Sequence, residues 1–202
     1  MKNFELFIAT KNAGKIREIE KLLEDLPITL RNAGEFDEII EPDETGETFA
    51  ENAILKAKYY AEKTEMWSLA DDSGLEVESL EWQPGVFSAR YGGAEATNEE
   101  KIARLLNELK QTDDKNRQAR FVCSMAIADN SGEVQFLTHG ICEGKIASHP
   151  KGNNGFGYDP IFVPEGFFET FGELSGEIKQ QISHRSRAIE KIIEFLHSFS
   201  TP

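Results

Sequence analysis

Two adjacent carboxylates, a hydroxyl and a glycine interrupt an apolar run at Trp67-Ser68-Leu69-Ala70-Asp71-Asp72-Ser73-Gly74-Leu75. A buried strand that stops there delivers polar groups to the end of a sheet, where carboxylates can hold a cation or accept a proton. Taken alone, Asp-Asp-Ser-Gly reads more simply as a turn between two strands, because Asp, Ser and Gly are the commonest turn formers. Other parts of the chain favour chemistry: a glycine-lysine loop near the N-terminus, acidic residues before a lysine-bearing helix, and a Phe-Gly-Tyr-Asp loop followed by Ser-His-Arg.

The glycine-lysine loop is Thr10-Lys11-Asn12-Ala13-Gly14-Lys15, placed between the apolar run Phe4 to Ala9 and a helical pattern with Ile16, Ile19, Leu22 and Leu23 on one face. Backbone N–H groups and the positive end of a helix dipole meet in such a loop and favour an anion, with Lys11 and Lys15 adding charge. It is not a Walker A loop. Ala9 stands where the first glycine belongs, and Ile16 where a Ser or Thr would bind magnesium. The second acidic feature is Glu41-Pro42-Asp43-Glu44-Thr45-Gly46, inside the stretch from Glu35 to Glu47. A helix is predicted from about Glu47 to Lys63, with Phe49, Ala53, Ile54, Ala57, Tyr60 and Ala61 at spacings of three and four. Lys56 on that helix can reach toward phosphate, while the acidic loop alone reads as solvated charge near a helix start.

The remaining elements position these groups. Pro27 to Leu30 and Leu75 to Leu80 read as short strands, and Thr97 to Leu109 as a helix capped by Thr97 or Asn98. Arg120 to Ala128 and Val134 to Ile146 form a strand pair around Asp129-Asn130-Ser131-Gly132, a hairpin signal. Glycines and asparagines surround Phe156 and Tyr158 between His149 and Pro160, so an irregular loop holds both rings. A loop aromatic can stack on a nucleobase, or it can plug a junction in the core. A last helix carries Ala188, Ile189, Ile192, Ile193 and Leu196 inward and opens on His184 and Arg185, where cations oppose the helix dipole. Some local group must favour them there. His149 and His197 read as surface residues.

With 202 residues the chain can bury an ordinary core as one domain, or as two joined lobes divided near residues 110–118, where the sequence turns polar. The formal net charge is -14 and the acidic residues are dispersed, which disfavours nucleic-acid backbones and anionic membranes. A small anionic ligand is still compatible, because screening acts over about 8 Å and local lysines with a divalent cation outweigh distant charge. No apolar run approaches a spanning helix, and the start of the chain does not read as a signal peptide, so a cytoplasmic protein is expected. Cys123 and Cys142 read as core thiols.

Six motifs in order, at 10–15, 47–53, 70–75, 84–91 (Pro-Gly-Val-Phe-Ser-Ala-Arg-Tyr), 155–160 (Gly-Phe-Gly-Tyr-Asp-Pro) and 183–185, span nearly the whole chain. Together they closely resemble the inosine/xanthosine triphosphate pyrophosphatase family. That resemblance implies an α/β fold of two lobes, with an elongated central mixed β-sheet flanked by helices and a nucleotide cleft between the lobes. It further implies magnesium dependence, a homodimer, and cleavage of non-standard purine triphosphates (ITP, dITP, XTP) to monophosphate and pyrophosphate. Residue by residue, it places the phosphates on Thr10, Lys11, Asn12, Ala13, Gly14 and Lys15 with Lys56. Asp72 becomes general base and metal ligand, Asp43 or Glu44 supplies the other acidic contact, and Ser73 touches substrate. Phe156 would stack on the base, Gly157, Tyr158 and Asp159 would line it, and Lys179, His184 and Arg185 would read its edge.

The chemistry is consistent with that assignment. A carboxylate of ordinary pKa near 3.9 is a weak base toward bulk water at about 15.7, so a metal ion must narrow the gap. The 6-oxygen of inosine and xanthosine accepts hydrogen bonds that Arg185 and His184 can donate, whereas the adenine amino group leaves those donors unpaired. Two other functions fit the same residues: a pyrophosphatase of similar fold acting on modified pyrimidine nucleotides, and a nucleotide-binding module without turnover.

Overall fold

A computed structural model describes residues 4–36, 39–93 and 95–198; Asp37 and Glu38 of the acidic stretch lie outside the described residues. The strands are β1 (Phe4–Ile8), β2 (Ile28–Asn32), β3 (Trp67–Val77), β4 (Gln118–Ala128), β5 (Val134–Ile146) and β6 (Phe162–Pro164). The helices are α1 (Ala13–Leu22), α2 (Phe49–Thr64), α3 (Asn98–Gln111), α4 (Gly176–Ile182) and α5 (His184–Ser198). One six-stranded sheet runs in the order β2-β1-β3-β4-β5-β6. It is mixed: β1 pairs parallel with β2 and β3, and β5 pairs antiparallel with β6. No helix among the described residues is long and apolar enough to cross a membrane.

The chain divides into two compact units, the first made of residues 1–72, 123–140 and 185–202 and the second of 73–122 and 141–184. Strands β3, β4 and β5 contribute residues to both, and the polar connector at 112–117 lies within the second.

Strand alternation sets the core of the first unit. Successive side chains of a strand point to opposite faces. Leu6, Ile8, Leu69, Cys123, Met125 and Ile127 therefore join Ile19 of α1 and Ile189 and Ile192 of α5 in one cluster. Phe7, Ala9, Ala70, Ala126 and Ala128 join Ala53, Ala57, Tyr60 and Ala61 of α2 in another. The small residues on that second face let α2 approach the strands closely. Its start is fixed by Thr48, whose side chain accepts from Glu51 N while the Glu51 carboxylate accepts from Thr48 N.

In the second unit, Ile102, Leu105, Leu106 and Leu109 of α3 pack with Leu75, Val77, Phe121, Phe162 and Phe171. The rings of Phe121 and Phe162 lie 4.6 Å apart and those of Phe162 and Phe171 5.4 Å. Thr97 rather than Asn98 caps α3.

One expectation fails instructively. Asp71-Asp72-Ser73-Gly74 neither ends a strand nor makes a turn, since β3 runs through it without a break. Tertiary partners override the turn preference of these residues. Gly74 has its own reason, because a Cβ there would come within 2.4 Å of Ser88 Oγ, which accepts a 2.9 Å hydrogen bond from Leu75 N.

Candidate functional site

Because β3 continues, its two carboxylates face opposite ways. Asp71 follows Leu69 onto the face shared with α1 and α5, and Asp72 follows Ala70 onto the α2 face. What reads as an acidic pair in the sequence is two separate sites joined by one peptide unit.

On the α2 face, the buried Lys56 ammonium lies 2.8 Å from Asp72 Oδ1, 2.8 Å from Glu44 Oε1 and 2.8 Å from the carbonyl oxygen of Asp71. The second carboxylate oxygen, Asp72 Oδ2, is buried and has no hydrogen-bond partner among the described residues. Burial raises the Asp72 pKa above the ordinary carboxylate range; Lys56 and Lys15 oppose that rise, and the like charge of Glu44 adds to it. Burial also disfavours ionised Glu44, but the charge and hydrogen bond of Lys56 outweigh it and bring that carboxyl down to about 2. For Lys56 itself burial is the largest influence and lowers the pKa, yet Asp72 and Glu44 together raise it above its ordinary value. Asp43, by contrast, is exposed.

On the other face, Asp71 is fully buried. Its Oδ1 lies 2.7 Å from Lys15 Nζ, and its Oδ2 takes a 2.7 Å hydrogen bond from Arg185 Nε and one of 3.2 Å from Cys123 Sγ. Arg185 Nη1 bonds onward to the Glu18 carboxylate. Burial works against charge on Asp71, but Arg185 and Lys15 overcome it and hold the carboxyl well below its usual range. These anions explain a cation at the start of α5: paired buried charge outweighs a helix-dipole penalty of about 0.3–1 kcal/mol. Lys15 also donates to the Asp71 carbonyl at 3.3 Å, so both lysines converge on one oxygen.

The N-terminal loop is more self-satisfied than its sequence suggests. Asn12 caps α1, its Oδ1 accepting from Gly14 N at 2.9 Å and Lys15 N at 3.2 Å, while Thr10 Oγ1 accepts from Asn12 N at 3.2 Å. Lys11 and Ala13 are exposed, and Gly14 is buried.

The second unit holds the aromatic loop. Asp159 Oδ2 accepts from Phe156 N at 2.8 Å and from Lys179 Nζ at 2.5 Å. Lys179 Nζ also lies 4.9 Å from the centroid of the half-buried Phe156 ring. A side chain at Gly155, where φ is +73°, would collide with Asp159 Oδ2 at 1.9 Å, so glycine there lets the carboxylate fold under the loop. Gly157 takes φ +60°. Tyr158 is buried, donates to Ser88 O at 3.1 Å, and its pKa is raised first by burial. His184 stacks on Phe121 with 4.7 Å between centroids. Ser73 is half-buried on β3.

Of the residues singled out in the sequence, the structure brings Lys56, Glu44 and Asp72 together on one face and sets Lys15 against Asp71 on the other. Sequence reasoning missed Asp71 as a separate centre and missed Glu18, although Glu18 stands three residues after Lys15 and shares its helix face. It also missed Asn52, one turn before Lys56, whose Oδ1 accepts from Gly46 N at 2.8 Å and so ties the acidic loop to α2.

Known proteins resemble this chain in sequence and fold over nearly its whole length. The family model of the Ham1 family matches residues 6–195. A dITP/XTP pyrophosphatase of Nostoc sp. is 47% identical over 191 residues, covering 93% of this chain and 92% of its own length. One from Coxiella burnetii is 43% identical over 189 residues, covering 93% and 94%. The solved structure of a HAM1 protein from Coxiella burnetii superposes with a TM-score of 0.88 at 42% identity, covering 96% of this chain and 99% of that one.

Proposed function

The chain belongs to the Ham1 family, and we propose that it hydrolyses non-standard purine nucleoside triphosphates, dITP, ITP and XTP, to the monophosphate and pyrophosphate. The observation that carries the mechanism is Asp72 Oδ2, a buried oxygen with no hydrogen-bond partner among the described residues, beside two lysines and a second carboxylate. An acceptor left open in that setting is suited to a water proton or a cation.

Those residues fit magnesium. No group of three or more His, Cys, Asp or Glu among the described residues could hold a metal ion. Magnesium commonly takes only one or two carboxylates and completes its shell with phosphate oxygens and water. Asp72 and Glu44, each 2.8 Å from the Lys56 ammonium, are the two we assign, whereas Asp43 is exposed. When bound, the ion lowers the pKa of water and neutralises phosphate charge.

The chain's own groups do the rest. Lys15, with the Thr10–Lys15 loop and the N-terminus of α1, holds the polyphosphate tail, and the nearby charge of Lys56 helps to stabilise the departing pyrophosphate. Lys56 fixes Asp72 through Oδ1, leaving Oδ2 to orient a water toward the α-phosphorus and take its proton. The raised pKa of Asp72 makes it a better proton acceptor than an ordinary aspartate. In the second unit, Phe156 stacks on the base, Asp159 anchors the loop, and Lys179 and His184 serve the 6-oxygen; Arg185, expected from the sequence to read the base edge with them, is instead buried against Asp71 and Glu18 in the first unit. A homodimer in the cytoplasm belongs to the same reading.

The test is a panel of triphosphates assayed for pyrophosphate and orthophosphate with magnesium and with excess chelator. Pyrophosphate from inosine and xanthosine triphosphates, lost on chelation, supports the function. Preference for a pyrimidine triphosphate, or binding without product, overturns it.

A further inference from the structure

Asp71 and Asp72 are neighbours in sequence and in chemistry, but their oxygens are used differently. Asp72 leaves one oxygen open, whereas each Asp71 oxygen is engaged by a cation of its own: Oδ1 by Lys15 at 2.7 Å, Oδ2 by Arg185 at 2.7 Å with the Cys123 thiol at 3.2 Å. From Arg185 the chain of contacts passes to Glu18, three residues along α1 from Lys15, and so closes on the helix where it began. The ring draws one residue from β3, one from α5 and two from α1, alternating in sign. Asp71 is 0% exposed and Arg185 1%, while the Lys15 side chain keeps 13% exposure. The ring is therefore anchored in the interior and ends at a lysine side chain that solvent reaches in part.

We propose that Asp71 is a positioning residue, neither base nor metal ligand, and that the Glu18–Arg185–Asp71 relay fixes the Lys15 ammonium where the polyphosphate tail binds. This rests on the tail-binding role given to Lys15 above. A lysine on a flexible four-carbon stem loses rotamer freedom when it binds phosphate, and prior ordering removes that loss. Lys15 directs two of its hydrogens at Asp71, one to Oδ1 and one to the carbonyl, which aims the third. A buried carboxylate is stable there because Arg185 shares it with Lys15, and Glu18 in turn orients the guanidinium. Asp71 adds negative charge near an anionic ligand, so its presence is better explained by placement of Lys15 than by attraction.

The relay makes the contribution of Lys15 conditional on Asp71. Affinity for inorganic tripolyphosphate, measured by calorimetry, is to be compared across wild type, Lys15→Gln, Asp71→Asn and the double variant, with pyrophosphate release from inosine triphosphate recorded in parallel. Loss of one charge-assisted contact weakens tail binding by about tenfold or more. In wild type Lys15→Gln is expected to do so, and in the Asp71→Asn background to weaken it less than about threefold, because neighbouring groups in one network do not add. Where Asp71→Asn fails to fold, Glu18→Gln replaces it, and the Lys15 increment is expected to shrink by at least about twofold. Equal Lys15 increments in both backgrounds overturn the relay, as does wild-type protein that does not bind tripolyphosphate. Equal increments with intact pyrophosphate release sink the relay alone. Coupled increments without release sink the proposed reaction and leave the relay standing.

Discussion

Replacing Lys56 by Met tests the α2 face most directly. The substitution keeps an unbranched side chain of similar length and removes the ammonium that lies 2.8 Å from both Glu44 and Asp72. Two carboxylates that share a buried ammonium then face each other, one 21% exposed and the other 7%. Breaking a buried ion pair from one side destabilises by about 3–5 kcal/mol. For a chain of this length each kcal/mol moves the melting temperature by about 2–4 °C, so a fall of about 6–20 °C is expected at pH 7.5. The pH dependence fixes the cause. In wild type the Glu44 carboxyl is held down to about 2, so its share of stability is present at neutral pH and lost only as pH falls below the ordinary value of 4.5. Without Lys56 the crowded carboxylates favour a shared proton, and protonation then relieves the folded state. The deficit against wild type is expected to narrow between pH 7.5 and pH 5, and magnesium is expected to narrow it at pH 7.5. Calorimetric melting with and without magnesium at both pH values measures this. A drop under about 3 °C, or a deficit that stays constant with pH and metal, would refute the electrostatic account.

Three further outcomes follow. Asp72→Asn leaves Lys56 paired with Glu44 and is expected to keep the fold and bind tripolyphosphate while turnover falls by about 10²–10⁴, the usual worth of a general base, as read by pyrophosphate release. Phe156→Ala is expected to raise KM for inosine triphosphate about tenfold through loss of stacking, while tripolyphosphate affinity is unchanged. Tyr60 is fully buried and its hydroxyl has no hydrogen-bond partner among the described residues, so Tyr60→Phe is expected to raise the melting temperature by about 2–4 °C at pH 7.5. Burial first, then the charges of Glu41 and Tyr59, push the Tyr60 pKa up to about 12. The proton is held more tightly in the folded state, so stability present below pH 10 is lost toward pH 12, and the phenylalanine variant is expected to melt with a shallower alkaline slope.

Local signals made much of the fold legible. The Thr48–Glu51 capping box, the apolar spacing of α2 and α3, and Asp129–Gly132 between β4 and β5 each depend on residues a few positions apart. The Phe156–Asp159 loop was legible for the same reason, since its glycines and its carboxylate lie within five residues of one another. The site on β3 was legible only in part. Lys56 is 16 residues from Asp72, whereas Arg185 is 114 from Asp71 and 167 from Glu18. Nothing local distinguishes an aspartate that ends a strand from one that stays in it because a cation waits on each side.

That distinction underlies the function we propose. An alternating strand cannot present two successive side chains to the same face, so Asp71 and Asp72 cannot act as a chelating pair, however suggestive their adjacency. Each must be neutralised separately, Asp71 by Lys15 and Arg185, Asp72 by Lys56. The consequence is that the two lysines are brought from opposite faces to the one carbonyl oxygen between the carboxylates. A chain with a net charge of -14 thereby brings two ammonium groups to one point among the carboxylates that hold them, and these are the groups to which we assign the polyphosphate tail. On the proposed reading, the negative charge of the protein as a whole is then no obstacle to an anionic substrate, because binding within a few ångströms of that carbonyl lies well inside the screening length of about 8 Å.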